Sequence, residues 1–236
     1  MITIHQICYN EIKLLHFAYD FYKKRFPTAT FVLHDNNSND GSLTLAKKLG
    51  YKIEKFDTGG KMDDATMANL RNNCWKNDTT DWIMVVDMDE LIDISEESLI
   101  KQQMMGASII NTFGFNMVNT FDDFNLENID SGFRENNLYD KCLIFNKKFI
   151  ETMDWTVGCH QCNPKGSDVR FSNDRFVLMH YKYINEDYIV KRYKLLKNRQ
   201  SDNNKNNNWC YQYYTEENNL REYFKECQKK QLTKLL

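Results

Sequence analysis

Ile83-Met84-Val85-Val86-Asp87-Met88-Asp89-Glu90 is the stretch of this sequence richest in chemistry. Asp87 and Asp89 are two residues apart, so in an extended segment their carboxylates face the same side. The apolar run before them reads as a strand buried on both faces. Acids at the carboxyl end of such a strand stand where open α/β sheets take their ligands. Two hard oxygen donors suit Mg²⁺ or Mn²⁺, above all when substrate phosphates complete the shell. The competing reading is an acidic turn in solvent after a strand.

Other residues carry weaker signals. Asp64, Met67, Ala68 and Arg71 fall on one helical face, since positions 64 and 71 are two turns apart. The planar fork of Arg71 could reach a phosphate, or pair with Asp64 at the surface. Gly158-Cys159-His160-Gln161-Cys162 holds a Cys-x-x-Cys that could serve zinc or a redox pair, yet no second such pair or His pair follows at a suitable distance. The histidines are at 5, 16, 34, 160 and 180; His16 reads as structural, and His180 ends the apolar strand Phe176-Val177-Leu178-Met179.

The elements that must position these groups follow from periodicity. Ile2 to Cys8 reads as a strand, and Ile12, Leu15, Tyr19, Tyr22 and Phe26 mark one face of a helix that Pro27 ends. A strand over 29–33 leads into the polar turn His34 to Gly41, rich in residues that bond their own backbone. A helix over 43–49 closed by Gly50, a strand over 51–56, the loop Gly59-Gly60-Lys61, a helix over 63–75 and the strand over 82–86 complete a β-α-β-α-β-α-β order. Such alternation predicts a parallel sheet. Beyond residue 90 the rhythm changes: strands are expected over 107–118, 140–145 and 175–180, a polar loop over 120–137, and a helix over 186–197. The Asn-rich stretch 201–208 reads as a mobile loop, and residues 215 onward as a terminal helix docking Leu220, Tyr223, Phe224 and Cys227. No repeat or linker interrupts the chain, so one α/β domain over 1–236 with a C-terminal helical extension is expected.

Composition bounds the partners. The 236 residues include 42% hydrophobic and 14% aromatic side chains but only 9 Gly and 2 Pro, which excludes general disorder and collagen-like sequence. Thirty-one basic against 33 acidic residues leave a formal charge of −2, so no global field favours nucleic acid or an anionic membrane. No stretch approaches the roughly 18 apolar residues of a membrane span. No cationic leader precedes an apolar one, and seven scattered cysteines fit reduced thiols, so a cytoplasmic location is expected.

Tyr9-Asn10-Glu11 after the first strand, Asp35-Asn36-Asn37-Ser38-Asn39-Asp40-Gly41 after the second, and Val85-Val86-Asp87-Met88-Asp89-Glu90 together resemble a GT-A fold glycosyltransferase, most closely the family 2-like branch. The resemblance covers residues 1–95 well and 100–185 loosely. It implies a mixed, mainly parallel, Rossmann-like sheet flanked by helices. It further implies a nucleoside-diphosphate sugar donor, a glycan or glycoconjugate acceptor, and a divalent metal, Mn²⁺ or Mg²⁺. Residues 1–95 would be the nucleotide-binding half, 96–185 the acceptor-side half and 186–236 the helical extension.

By position, the resemblance gives Asn10 and Glu11 to the nucleotide pocket, Asp35 and Asn37 to the base or ribose, and Asp87 to the ribose or metal. Asp89 would ligate the metal that bridges the diphosphate, and His180 would complete its shell, an acceptable set for Mn²⁺. A basic residue near the donor would be Arg71 or Lys61. The region Asp154 to His160 would be acceptor-side surface, with Trp155 on a sugar ring or in the core, and Asp154 as the general base ahead of Asp130 and Glu151. In plainer terms, Asn10 could simply cap a helix, and Asp35 to Gly41 could be an ordinary turn. The sequence lacks a Glu-Asp pair followed by Gln-x-x-Arg-Trp, which argues against a processive polymer synthase.

Three other readings compete. A nucleotidyltransferase that makes nucleotide sugars would show a Gly-rich basic loop after its first strand, where Tyr9-Asn10-Glu11-Ile12-Lys13 stands instead. A phosphatase would carry its nucleophile after the first strand with Thr following, whereas Asp89 follows the fourth and precedes Glu90. A catalytically silent glycan-binding protein on the same scaffold is the third.

Overall fold

The computed structural model describes residues 1–121 and 123–236; residue 122, within the expected loop 120–137, lies outside the described residues. β1 (Ile2–Cys8) is buried along its whole length. α1 (Ile12–Arg25) turns Leu14, Leu15, Ala18 and Tyr22 inward and ends on Lys23, Lys24 and Arg25, cations that complement the helix dipole. β2 (Thr30–Asp35), α2 (Ser42–Leu49), β3 (Lys52–Lys55), α3 (Asp64–Asn73) and β4 (Trp82–Asp87) then alternate as expected. α2 closes on Gly50, whose φ of 87° lets its N–H turn back to the carbonyls of Ala46 and Lys47.

β5 (Glu90–Asp93) follows two residues after β4, then α4 (Glu96–Met104) and the long β6 (Ile109–Val118). β7 (Ser131–Phe133), β8 (Ile144–Asn146) and the small hairpin of β9 (Ile150–Thr152) and β10 (Lys165–Gly166) lead to β11 (Phe171–Tyr183). α5 (Glu186–Asn198), α6 (Asp202–Asn206), α7 (Glu217–Gln228) and β12 (Thr233–Lys234) end the chain.

One sheet gathers most strands in the order β12-β7-β6-β8-β4-β1-β2-β3, with β11 pairing both β6 and β5. β3, β2, β1 and β4 run parallel; β8 lies antiparallel to β4. The architecture is thus α/β, a mixed sheet flanked by helices whose N-terminal half is parallel. The chain leaves β4 at Asp87 and re-enters as β5 against β11, where His180 stands opposite Glu90. That jump bends Asp87-Met88-Asp89-Glu90 into a turn and sets His180 beside it.

Two differences from expectation matter for the site. Residues 201–208 form a helical turn rather than a loose loop. Ser201 caps α6 by accepting from Asn204 N–H at 3.0 Å and donates to Asp63 at 2.8 Å, and fully buried Asn204 accepts from Asp64 N–H at 2.9 Å. Asparagine that reads as loop composition here supplies caps. The strand expected over 175–180 is also longer, because β11 finds partners on both edges. α5 and α7 pack Ile189, Val190, Tyr193, Leu220, Phe224 and Cys227 against Val118, Phe133 and Tyr183, a second core beside the main one. Among the described residues, no helix is long and apolar enough to cross a membrane.

Candidate active site

A cleft of about 480 Å³ opens at the carboxyl ends of β1 and β4. Its walls come from the segment after β1, the turn between β4 and β5, residues 157–160, β11, α5 and residues 208–213. The turn after β2 organises one side. Asp40 accepts from Ile12 N–H at 3.0 Å and Ser42 from Glu11 N–H at 3.1 Å, so α1 is capped from across the sheet. Asn10 adopts φ 56° and pairs its amide with Asn39, donating at 3.1 Å and accepting at 2.8 Å.

Four acids and three cations interlock in this cleft. Asp87 takes Arg71 at 2.5 Å. Arg192 of α5 bridges Glu11 at 2.7 Å and Asp89 at 3.2 Å. Glu90 pairs with Lys141 at 2.5 Å, both side chains under 5% exposed, while its other oxygen accepts from Asp87 N–H at 3.2 Å. Burial works to raise Asp89, but the neighbouring His180 ring and the charge of Arg192 outweigh it and hold the carboxyl well below the usual range. Glu11 goes the other way: burial, helped by Asp89 and Asp87, pushes it up to about 7 against the pull of Arg192.

His180 is oriented for a ligand. The Asn116 amide nitrogen donates to Glu135 at 2.9 Å, so its oxygen faces His180 Nδ1, also at 2.9 Å. Nδ1 therefore carries the proton, and the Nε2 lone pair points toward Asp89 Oδ2 at 3.7 Å. A lone pair facing a carboxylate is the arrangement a cation between them would satisfy, with the outer nitrogen fixed by a buried amide. The residues present thus fit a hard divalent ion. Tyr139 lies over His180 with ring centroids 4.4 Å apart, and it passes so close to Gly114 that a Cβ there would collide with it.

The structure brings Asn10, Glu11, Arg71, Asp87, Asp89 and His180 into one cleft. It moves four expected residues out of it. Asp35 is fully buried and accepts from Ser38 N–H at 3.2 Å, so it fixes the turn, and neighbouring Asn36 lines the cleft instead. Asn37 is an exposed turn residue at φ 59°. The exposed Lys61 contributes its carbonyl to Arg199, whose guanidinium stacks on Tyr9 at 3.1 Å. Asp154 turns away to pair with Lys165 at 2.9 Å, and that hydrogen bond keeps its carboxyl below the usual range. Asp130 pairs with Lys234, and Glu151 is exposed on β9.

Trp155 is core: it is 4% exposed, donates to the Cys142 carbonyl at 3.0 Å and packs on Phe145. Cys159 and Cys162 are both free thiols, the first buried and the second half-buried. Arg71 is buried on Asp87 rather than paired with Asp64 at the surface. Arg192 and Lys141 are cleft residues that sequence reasoning passed over, and Glu90 and His160, expected only as part of the acidic turn and of the acceptor-side surface, also line it. A cation at a helix position four beyond Tyr188 was the one local signal for Arg192, and Tyr188 does accept from it at 3.1 Å.

No protein-family model matches the chain. Protein RfbJ of Shigella flexneri is 28% identical over 102 residues, covering 41% of this chain and 74% of that protein. Among solved structures, S. aureus TarS is similar with a TM-score of 0.47 and 14% identity, over 83% of this chain and 38% of its own. The mannosyltransferase PcManGT from Pyrobaculum calidifontis, solved with GDP-Man and Mn²⁺, is similar with a TM-score of 0.48 and 10% identity, over 83% of this chain and 61% of its own. The chain therefore spans less than two thirds of either of these two structures.

Proposed function

We propose that this chain is a metal-dependent GT-A glycosyltransferase that moves a sugar from a nucleoside diphosphate to a hydroxyl of a glycan or glycoconjugate. The convergence of Asp87, Asp89 and His180 with Arg71 and Arg192 in one cleft at the strand ends carries this reading. Asp87, Asp89 and His180 would hold Mn²⁺ or Mg²⁺, which when bound neutralises the leaving diphosphate. Arg71 and Arg192 each have guanidinium donors beyond those that meet the acids, suited to phosphate oxygens. Asn10 and Asn36, their amides held by Asn39 and Thr58, line the side of the cleft where the base or ribose would lie, and Glu11 accepts a ribose hydroxyl when ionised. On this reading residues 1–95 bind the nucleotide, 96–185 face the acceptor, and 186–236 close the cleft through Arg192.

For transfer with inversion, the acceptor hydroxyl needs a base on the side away from the diphosphate; a retaining transfer would need none there. His160 suits that role better than Asp154. Its Nδ1 donates to the Leu138 carbonyl at 2.7 Å, leaving the Nε2 lone pair free, and the residue lines the cleft beyond Tyr139. Gly158 at φ 75° makes room for it, since a Cβ there would meet the imidazole at 2.8 Å. Burial, then the Lys141 charge, lower the His160 pKa from its ordinary value of 6.5, so the ring is neutral at pH 7.

A base works when unprotonated, so transfer should rise with pH and level off, with a midpoint below about 6.5. His160→Gln should lower transfer by about 10²- to 10⁴-fold, remove that acid limb and leave donor affinity unchanged. Wild-type transfer by this variant would overturn the assignment.

The wider reading is tested with a panel of nucleoside-diphosphate sugars and Mn²⁺, scored by thermal shift and donor turnover. The correct donor at a hundred times its Kd should stabilise the chain by about 2.7 kcal/mol. Absence of any metal-dependent shift across the panel would reject the function. A shift without turnover, with or without acceptors, would favour the silent glycan-binding scaffold.

A further inference from the structure

We infer that His5, His34 and Cys74 form a second metal site, for zinc, outside the cleft. The inference is independent of glycosyl transfer. His5 on β1 and His34 on β2 are 1% and 2% exposed, and Cys74 caps the carboxyl end of α3 above them. The two imidazoles meet edge to edge, their planes 21° apart and their centroids 5.1 Å apart, and His5 Nδ1 faces His34 Nε2 at 2.9 Å. The Cys74 sulfur joins these nitrogens so that all three ligand atoms lie within 4.8 Å of one another.

The outer nitrogens carry the argument. His5 Nε2 is 2.6 Å from Asp78 Oδ2, and His34 Nδ1 is 3.6 Å from Glu54 Oε2. The short bond to Asp78 puts a proton on His5 Nε2, so neutral His5 presents a lone pair at Nδ1. His34 then has one proton for two demands. On Nε2 it would satisfy His5 but leave a lone pair facing the Glu54 carboxylate. On Nδ1 it would satisfy Glu54 but leave two lone pairs facing each other at 2.9 Å. A second proton on His34 would put a charge in a pocket 2% exposed.

A cation between the inner nitrogens removes the conflict: each ring gives it a lone pair, His5 donates its outer N–H to Asp78, and the outer N–H of His34 faces Glu54 at 3.6 Å. Carboxylate partners of this kind orient histidine ligands and raise their basicity. Two imidazoles with a thiolate are a zinc donor set. Tetrahedral Zn–N bonds of about 2.0–2.1 Å require the nitrogens to be about 3.3 Å apart, so the rings must part by a few tenths of an ångström and each tilt by about 35° to aim its lone pair at the ion. Cys74 is half-buried, so water can reach the fourth position. Binding would exchange the thiol proton for the Zn–S bond and release that proton to solvent, with no change of oxidation state. The site would clip β1 and β2 to the end of α3.

The test uses the whole chain carrying Asp89→Ala, which removes the cleft's metal ligand, stripped with chelator and titrated with Zn²⁺ or Co²⁺. One equivalent should bind, and Co²⁺ should show thiolate-to-metal charge-transfer absorption. Asp78→Asn should weaken Zn²⁺ by about 10- to 100-fold through loss of the positioning bond to His5. Cys74→Ser should abolish the charge-transfer absorption. The half-buried Cys74 makes that variant decisive even if His5 or His34 variants fail to fold. No stoichiometric Zn²⁺ in the Asp89→Ala chain, or an unchanged Co²⁺ spectrum in Cys74→Ser, would overturn the inference.

Discussion

Asp89→Ala is expected to lower metal-dependent donor turnover by about a thousandfold or more, which is ~4 kcal/mol of barrier. Asp89 is 9% exposed, and its acidity is set by His180 and Arg192 on the same side of the cleft. Removing the carboxylate deletes an oxygen ligand and leaves His180 Nε2 without its anionic partner. The fold should survive, because Arg192 keeps Glu11 at 2.7 Å and no apolar contact is lost. Metal titration and turnover on the folded variant, with circular dichroism as the control, decide it. Full turnover in the variant, or in excess chelator with the unaltered chain, would sink the metal reading.

Lys141→Met should destabilise the chain by about 3–5 kcal/mol, the cost of leaving one member of a buried ion pair alone. Glu90 and Lys141 are 3% and 4% exposed at 2.5 Å. Burial works to lower Lys141, yet the charge of Glu90 outweighs it and keeps the amine charged. Glu90 also holds the backbone of Asp87, so its stranded charge would disturb the turn that carries Asp87 and Asp89. The double change Glu90→Gln with Lys141→Met should recover most of the loss, since it removes both charges and keeps an acceptor for Asp87 N–H. Urea unfolding of the four species measures the coupling. A single-variant loss under about 1 kcal/mol would show that water reaches the pair.

The N-terminal alternation and the Asp87/Asp89 turn were legible because both rest on local signals. Periodicity marks the elements, and a buried run followed by acids marks a strand end. Asp35 misled because its type suits both a ligand site and a turn; only burial against Ser38 separates the two. Asp154 misled because proximity in sequence to Trp155 says nothing of direction, and φ 47° turns its backbone toward Lys165. His180 entered through family resemblance, and its contact with Asp89 depends on a β5–β11 register that local pattern does not encode. Arg192 was out of reach for the same reason: the helix was evident, its partners were not.

Arg192 meets Glu11 across 181 residues, and Asn204 meets Asp64 across 140. On a ribosome the parallel strands β1 to β4 emerge before the cations and caps that finish the cleft. A nascent chain that has folded its first strands therefore exposes Glu11, Asp87 and Asp89 with Arg71 as a neighbouring cation and no Arg192. Contacts this distant form slowly, because loop closure precedes their reward. The cleft is thus complete only once α5 and α6 have been made, and a chain cut short after β11 would carry Asp87 and Asp89 in a cleft without its far wall.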